Sequence, residues 1–332
     1  MVRNAGDNAG IYSLSSNGTQ IFGTGYTFGT GGNLENAFST DLSGNLLWVN
    51  GCQGDTYGNV AIGDVLYLVG HSHDCSSIGA WADFNPRKYQ PATAYSTGAG
   101  THGEVNISGT FVNRPAPEML HWLPTLDIGD VTGQEQAAWT VAGNNDYVVL
   151  GGEFPRVNYV AQEGLTRFAI RDLSTKKQGP TTPNDLTPSA AAISPGAFQV
   201  SWQASWDRDT RRLTYEVLRD GVVVGTLKAD STWWNRQTLY WTDTSVTPGA
   251  SVTYQIRVRD EANVITGAAA TFTAPATIKR PLVRRPGARG RGERLLAAGG
   301  GLRHQRPELD REPEHERAQQ RHPERGRGDR RR

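Results

Sequence analysis

The stretch Leu213-Thr-Tyr-Glu-Val-Leu-Arg-Asp-Gly-Val-Val-Val-Gly-Thr226 decides the fold. Leu213, Tyr215 and Val217 alternate with polar residues, the period of a strand with one face in a core. Asp220-Gly221 is a hairpin turn, because such a pair accepts the positive φ angles that a two-residue loop demands. Working outward, Phe198-Gln-Val-Ser-Trp202 alternates in the same way, and Val252, Tyr254, Ile256 and Val258 fall on one face of a further strand. Ala268 to Phe272 reads as the last. These make about seven strands in roughly 90 residues, the number expected of a β-sandwich.

Residues 1–178 carry a looser pattern of turn, apolar run and glycine. Its copies are 15–25 (SSNGTQIFGTG), 61–70 (AIGDVLYLVG) and 141–152 (VAGNNDYVVLGG). Each predicts two strands around a tight turn, at Asn17-Gly18, Gly63-Asp64 and Asn144-Asn145-Asp146. Strand-built repeats at this spacing suggest blades of a propeller. The first two copies lie about 45 residues apart and the third at nearly twice that distance, so a blade between them is degenerate or expanded. Residues 179–187, rich in Pro and Thr, read as a linker.

Charge divides the chain. From Lys279 onward fall 17 of the 34 Lys+Arg and 8 of the 33 Asp+Glu, so the tail carries +9 and the preceding residues −8. The tail has no aromatic residue and too few apolar ones for a core, which predicts disorder. Interspersed Glu and Asp and the lack of stacking rings argue against nucleic acid as its partner. No apolar run is long enough to cross a membrane, and residues 1–14 lack the apolar run of a signal peptide.

Trp202, Tyr215, Asp220-Gly221 and Val246-Thr-Pro-Gly249 resemble the fibronectin type III family, over residues 188–275. The resemblance implies a tyrosine shortly after Pro248-Gly249 whose hydroxyl bonds back to the chain. Val252 stands at that position, so the corner hydrogen bond is expected to be missing, and Tyr254 should face the core. Residues 48–55 (WVNGCQGD), 69–75 (VGHSHDC) and 149–158 (VLGGEFPRVN) are similar to the propeller-type, kelch-like region of actinobacterial secreted proteins carrying fibronectin type III, PKD or LamG-like modules. The implied fold class is all-β: a partial β-propeller-like region over 1–178, the linker, the immunoglobulin-like sandwich over 188–275, and the tail over 276–332. Relatives of that architecture continue into a LamG-like jelly roll. A one-base shift in suitable codons for residues 293–300 restores an aromatic Tyr-Trp-Arg-Leu-Gly string, so the tail is read as an out-of-frame LamG-like region, which resequencing the locus checks. About three blades are too few to close a propeller, so the chain is expected to start inside a longer protein.

The resemblance implies a secreted or surface location for the intact protein and, with it, a disulfide between Cys52 and Cys75. Two buried thiols are the alternative. His71 and His73, two apart on a strand, share a face, and with Asp74 they could hold a divalent metal. The plainer reading is a polar blade surface. Trp233 and Trp234 could form a platform for sugar rings, or pack within the sandwich. Asp207 and Asp209 could suggest calcium, or be solvated. No nucleophile elbow, zincin motif, P-loop or dinucleotide fingerprint occurs, and no carboxylate pair stands out for glycoside hydrolysis. The expected function is non-catalytic binding of an extracellular glycan or protein, with no cofactor, no nucleic acid and no membrane insertion. The alternative is an accessory region of a secreted polysaccharide-degrading glycosidase.

Overall fold

In the computed structural model, the residues described are 8–28, 32–101, 111, 113–181 and 183–276. The expectations for the tail from residue 277 onward lie outside them. Among the described residues the protein is all-β, built of several antiparallel sheets with no closed barrel.

Three sheets form the N-terminal region. The first is a meander of β1 (Ala9–Ser16), β2 (Gln20–Thr27), β3 (Asn36–Asp41) and β4 (Leu46–Val49). The second follows the same plan with β5 (Thr56–Ile62), β6 (Val65–Ser72), β7 (Gln90–Ala99) and β8 (Pro117–Met119). The third contains β9 (Ala138–Gly143) and β10 (Tyr147–Gly152). A small hairpin of β11 (Arg156–Val157) and β12 (Val160–Ala161) precedes its last strand, β13 (Leu165–Ala169). All three hairpins expected from the repeat are present, with β1–β2, β5–β6 and β9–β10 turning at the anticipated residues. The long gap between the second and third copies is an expanded second sheet. Its β6–β7 connection runs from residue 73 to 89 and β8 is reached only at Pro117.

The first strands of the three sheets lie side by side, β1 against β5 and β5 against β9. Phe22, Phe38 and Trp48 of the first sheet bury their side chains with Leu66, Leu68 and Tyr95 of the second. Val69 and Ala92 share a second core with Val141, Val148 and Leu150 of the third. Removal of this apolar surface from water is what stacks the sheets.

The C-terminal region has two sheets over one core. One contains β14 (Ser189–Ser194), β15 (Ala197–Gln203) and, after an excursion, β18 (Thr238–Asp243). The other joins β16 (Arg212–Arg219), β17 (Val222–Asp230) and β19 (Ser251–Arg259). Its last edge is divided into β20 (Val264–Thr266) and β21 (Ala270–Thr273), both paired with β19. The alternation worked as expected: Leu213, Tyr215, Val217, Tyr254, Ile256 and Val258 are all fully buried. Asp220 (φ 50°) and Gly221 (φ 82°) make the tight β16–β17 turn.

Within the linker, a 3-10 turn, Pro183–Leu186, places Leu186 in the sandwich core. Tyr254 faces that core, as expected. Val252 does pack in the core, but the Tyr254 hydroxyl donates to Asp243 Oδ2 at 2.8 Å. That bond runs to a buried carboxylate and not to backbone. Arg219 Nη1 also reaches Asp243 Oδ2, at 2.7 Å, and the Ser245 amide and hydroxyl bond Oδ1 at 2.9 and 2.8 Å.

Candidate functional site

Hairpin turns lie at one end of the N-terminal sheets. The opposite end collects the connections that carry polar and aromatic side chains. Glu35 immediately precedes β3, Asp55 precedes β5, His71 stands at the end of β6, and Gln136 lies just before β9. An antiparallel meander returns each of these points to the same rim.

Cys52 and Cys75 are joined by a disulfide that ties the connection bearing Asp55 to the one that follows His71. Beside it, the Gln53 amide donates to the Asp74 carbonyl at 2.7 Å and the His73 amide to the Gln53 carbonyl at 2.9 Å. Gly54 adopts φ 115°, and a Cβ there would lie 2.4 Å from the His71 carbonyl oxygen. Only glycine permits that approach. It lets the Asp55 amide donate to His71 Nε2 at 3.1 Å.

That bond fixes the histidine. Nε2 accepts, so a neutral ring carries its proton on Nδ1, which meets the Tyr57 hydroxyl at 2.8 Å and Gln136 Oε1 at 3.0 Å. Burial holds the His71 pKa below the usual imidazole value, outweighing the upward pull of Gln136 and Glu35. Both ring nitrogens are thus committed within the protein.

The other residues of the expected metal set also make contacts within the protein. Asp74 Oδ1 is taken up by the Ser76 amide and hydroxyl at 2.9 and 2.6 Å, and His73 Nδ1 faces Asp83 at 3.5 Å. His71, His73 and Asp74 do not converge, and no group of three or more His, Cys, Asp or Glu suited to a metal occurs among the described residues. His71 and His73 do share a neighbour, since each meets the Tyr89 ring edge to face.

What the rim does assemble is a run of rings. Phe28 contacts Tyr26 at 5.3 Å between centroids, Tyr26 contacts Tyr12 at 4.8 Å, Tyr12 contacts Tyr57 at 5.2 Å, and Tyr57 contacts Trp139 at 4.5 Å. Tyr12, Tyr57 and Trp139 come from β1, β5 and β9, so each sheet's first strand supplies one ring. Tyr12, Phe28 and Tyr89 are 48%, 53% and 42% exposed. Glu153, within the 149–158 motif, holds the last ring in place. Its carboxylate accepts from the Thr132 amide at 2.8 Å, the Gln136 amide at 3.3 Å and Trp139 Nε1 at 3.1 Å.

Two carboxyl groups complete the rim. Asp55 is 5% exposed and its Oδ1 has no hydrogen-bond partner among the described residues. Burial pushes its pKa up to about 6. Glu35 is also raised, by burial, against the Gly54 amide that bonds it, and with the Asp55 charge adding to the shift.

Trp233 and Trp234 lie elsewhere and face inward. Trp233 meets Trp81 and Phe84 at 5.4 and 5.8 Å, and Trp234 meets Trp81 at 5.2 Å. Both rings are partly buried, and the packing expected within the sandwich is made against the N-terminal core. Asp207 is fully buried rather than solvated; its Oδ1 accepts from the Asp209 amide at 3.0 Å. No helix among the described residues is long and apolar enough to cross a membrane. No family model matches the chain, and no curated protein does either.

Proposed function

We propose that the protein is a non-catalytic glycan-binding protein of the cell exterior, and that the ring-lined rim is its binding face. A propeller-like, kelch-type region over 1–178 would present the ligand face, and a fibronectin type III domain over 188–275 would serve as its spacer. Sheets stacked along their first strands support the former, and a sandwich of three strands against four, with its last edge strand divided, supports the latter. Kinship with actinobacterial secreted multidomain proteins belongs to the same reading. The buried disulfide is compatible with an extracellular setting.

One observation carries the glycan assignment: five rings in continuous contact, exposed at Phe28 at one end and at Tyr12 in the middle, beside Asp55, Glu35 and Gln136. Sugars offer apolar C–H faces to rings and hydroxyls to carboxylates and amides, so such a mixed surface suits them. A glycan array followed by calorimetry tests this. Tyr12→Ala and Tyr89→Ala should each weaken the best ligand by about tenfold, or about 1.4 kcal/mol. Unchanged affinity in both variants overturns the assignment.

Asp55 supports one alternative, a role in glycoside hydrolysis. A carboxyl titrating at about 6 can still donate a proton near neutral pH. Release of reducing sugar, abolished by Asp55→Asn, would favour it.

A further inference from the structure

A cleft of about 530 Å³ opens between the third sheet and the sandwich, away from the rim. Such a volume lies within the range of small-molecule sites, which often form where two regions meet. Its lining combines two chemistries. One is an aromatic cluster: Trp122 meets Tyr67 at 5.1 Å and Phe168 at 5.3 Å, both edge to face. The other is a set of cations. Five lining side chains are guanidinium or ammonium groups, namely Arg167, Arg171, Lys176, Lys177 and Arg208, against the two carboxylates Asp146 and Asp209. Residues 1–278 as a whole carry a net charge of −8, so the cleft concentrates positive charge within an acidic body.

Arg171 is partly spent, because Glu261 holds its Nη1 at 2.7 Å. Lys176 and Lys177 are exposed and make no ion pair among the described residues. Arg208 differs from all of these. It is only 5% exposed, its Nε donates to Thr125 Oγ1 at 3.2 Å, and its guanidinium lies 5.0 Å from the Tyr159 ring and 5.3 Å from that of Trp206. Its Nη2 has no hydrogen-bond partner among the described residues. Asp207 and Asp209 act on it through space, and neither makes a close ion pair with it there. A buried guanidinium with a free N–H and no close ion pair has room for a further anion.

We propose that this cleft binds a small ring-bearing molecule with an oxyanion head group, a carboxylate or a phosphate. Arg208, Lys176 and Lys177 meet the head group, and the ring packs on Tyr67, Trp122 and Phe168. Guanidinium groups suit both oxyanions through directed N–H bonds, and the aromatic cluster selects an organic anion over a bare inorganic one. The site is independent of the glycan-binding rim.

Calorimetry on the full chain at low salt tests it, with three probes sharing one ring: 4-nitrophenyl phosphate, 4-nitrophenyl glucuronide and uncharged 4-nitrophenyl glucoside. Both anions should bind at least roughly tenfold more tightly than the glucoside, with affinity falling as salt rises. The tighter of the two identifies the head group. Lys176→Gln combined with Lys177→Gln should weaken the anions about threefold to tenfold and leave the glucoside unchanged. Arg208→Gln should weaken them further, and should it fail to fold, the lysine variant decides. Tyr12→Ala should change nothing here. Equal affinity for charged and neutral probes overturns the proposal, as does the absence of binding at about 10 mM probe.

Discussion

Two buried carboxylates, one in each region, are treated in opposite ways. Asp243 in the sandwich is 1% exposed and receives Arg219, Tyr254 and both donors of Ser245. Asp55 in the N-terminal region is 5% exposed and its Oδ1 receives nothing among the described residues. Burial alone would raise Asp243, yet the bonds from Ser245, Tyr254 and Arg219 bring its pKa below the ordinary value. Burial goes unopposed at Asp55 and pushes it to about 6. A carboxylate with all its bonds made consolidates a fold. One left short of partners, next to exposed rings, marks a place that structure alone does not explain.

The largest effect expected comes from breaking the satisfied site. Asp243→Ala strands the Arg219 charge and the Tyr254 hydroxyl, and should cost about 3–5 kcal/mol in denaturant unfolding. Tyr254→Phe, which removes one donor and leaves the ion pair, should cost about 1 kcal/mol. If both variants cost the same, the carboxylate is not the centre of that network. Next comes the staple of the other region. Replacing Cys52 and Cys75 with Ser frees a loop with a sequence separation of 23, worth about 3 kcal/mol in the chain-entropy account. The loss should appear in the N-terminal region, with hydrogen exchange in β16 and β19 little changed.

Asp55→Asn should reverse the usual sign. A carboxyl whose folded pKa lies above its unfolded value weakens the fold where it is ionised. That cost is full above about pH 6 and absent below the unfolded value near 4. The variant should therefore gain up to about 3 kcal/mol at pH 7.5 and nothing at pH 3.5. Asp243 runs the other way, since its lowered pKa gives stability that is present at neutral pH and lost as pH falls through its folded value. Thermal melts across pH, wild type against each variant, should show these opposite slopes. A gain for Asp55→Asn that persists at pH 3.5 would mean the substitution acts through packing.

Local signals made the strands legible. The Asn17-Gly18, Gly63-Asp64 and Asp220-Gly221 turns, with alternation on either side, announced their hairpins, because turn chemistry and period act over a few residues. The rim was invisible for the same reason. Tyr12, Tyr57 and Trp139 are each one aromatic residue in a strand, and only the stacking of three sheets brings them together. His71 drew attention through its spacing from His73, yet its real partners are the Asp55 amide, Tyr57 and Gln136. Gln136 lies 65 residues away, in a connection with no motif of its own. Glu153 stood in a recognised string, but nothing local says that it clamps the connection holding Trp139.

Trp233 and Trp234 give the last and smallest effect, and the one that asks whether the two regions act as one. Both follow β17 in the sandwich, yet both pack against Trp81 and the N-terminal core. Each is only partly buried, so truncation should cost less than the 3–5 kcal/mol of a fully buried tryptophan, about 2 kcal/mol. The informative quantity is where that loss appears. If these rings couple the regions, Trp234→Ala should broaden or divide a single unfolding transition, with the Cys52–Cys75 region melting apart from the sandwich. Combining Trp234→Ala with Trp81→Ala should cost less than the sum of the two single losses, because neighbours in contact are not additive. Strict additivity would mean that the rings rest on one another without joining the regions. The region around Asp243 and the rim around Asp55 would then be separate folding units that share a chain.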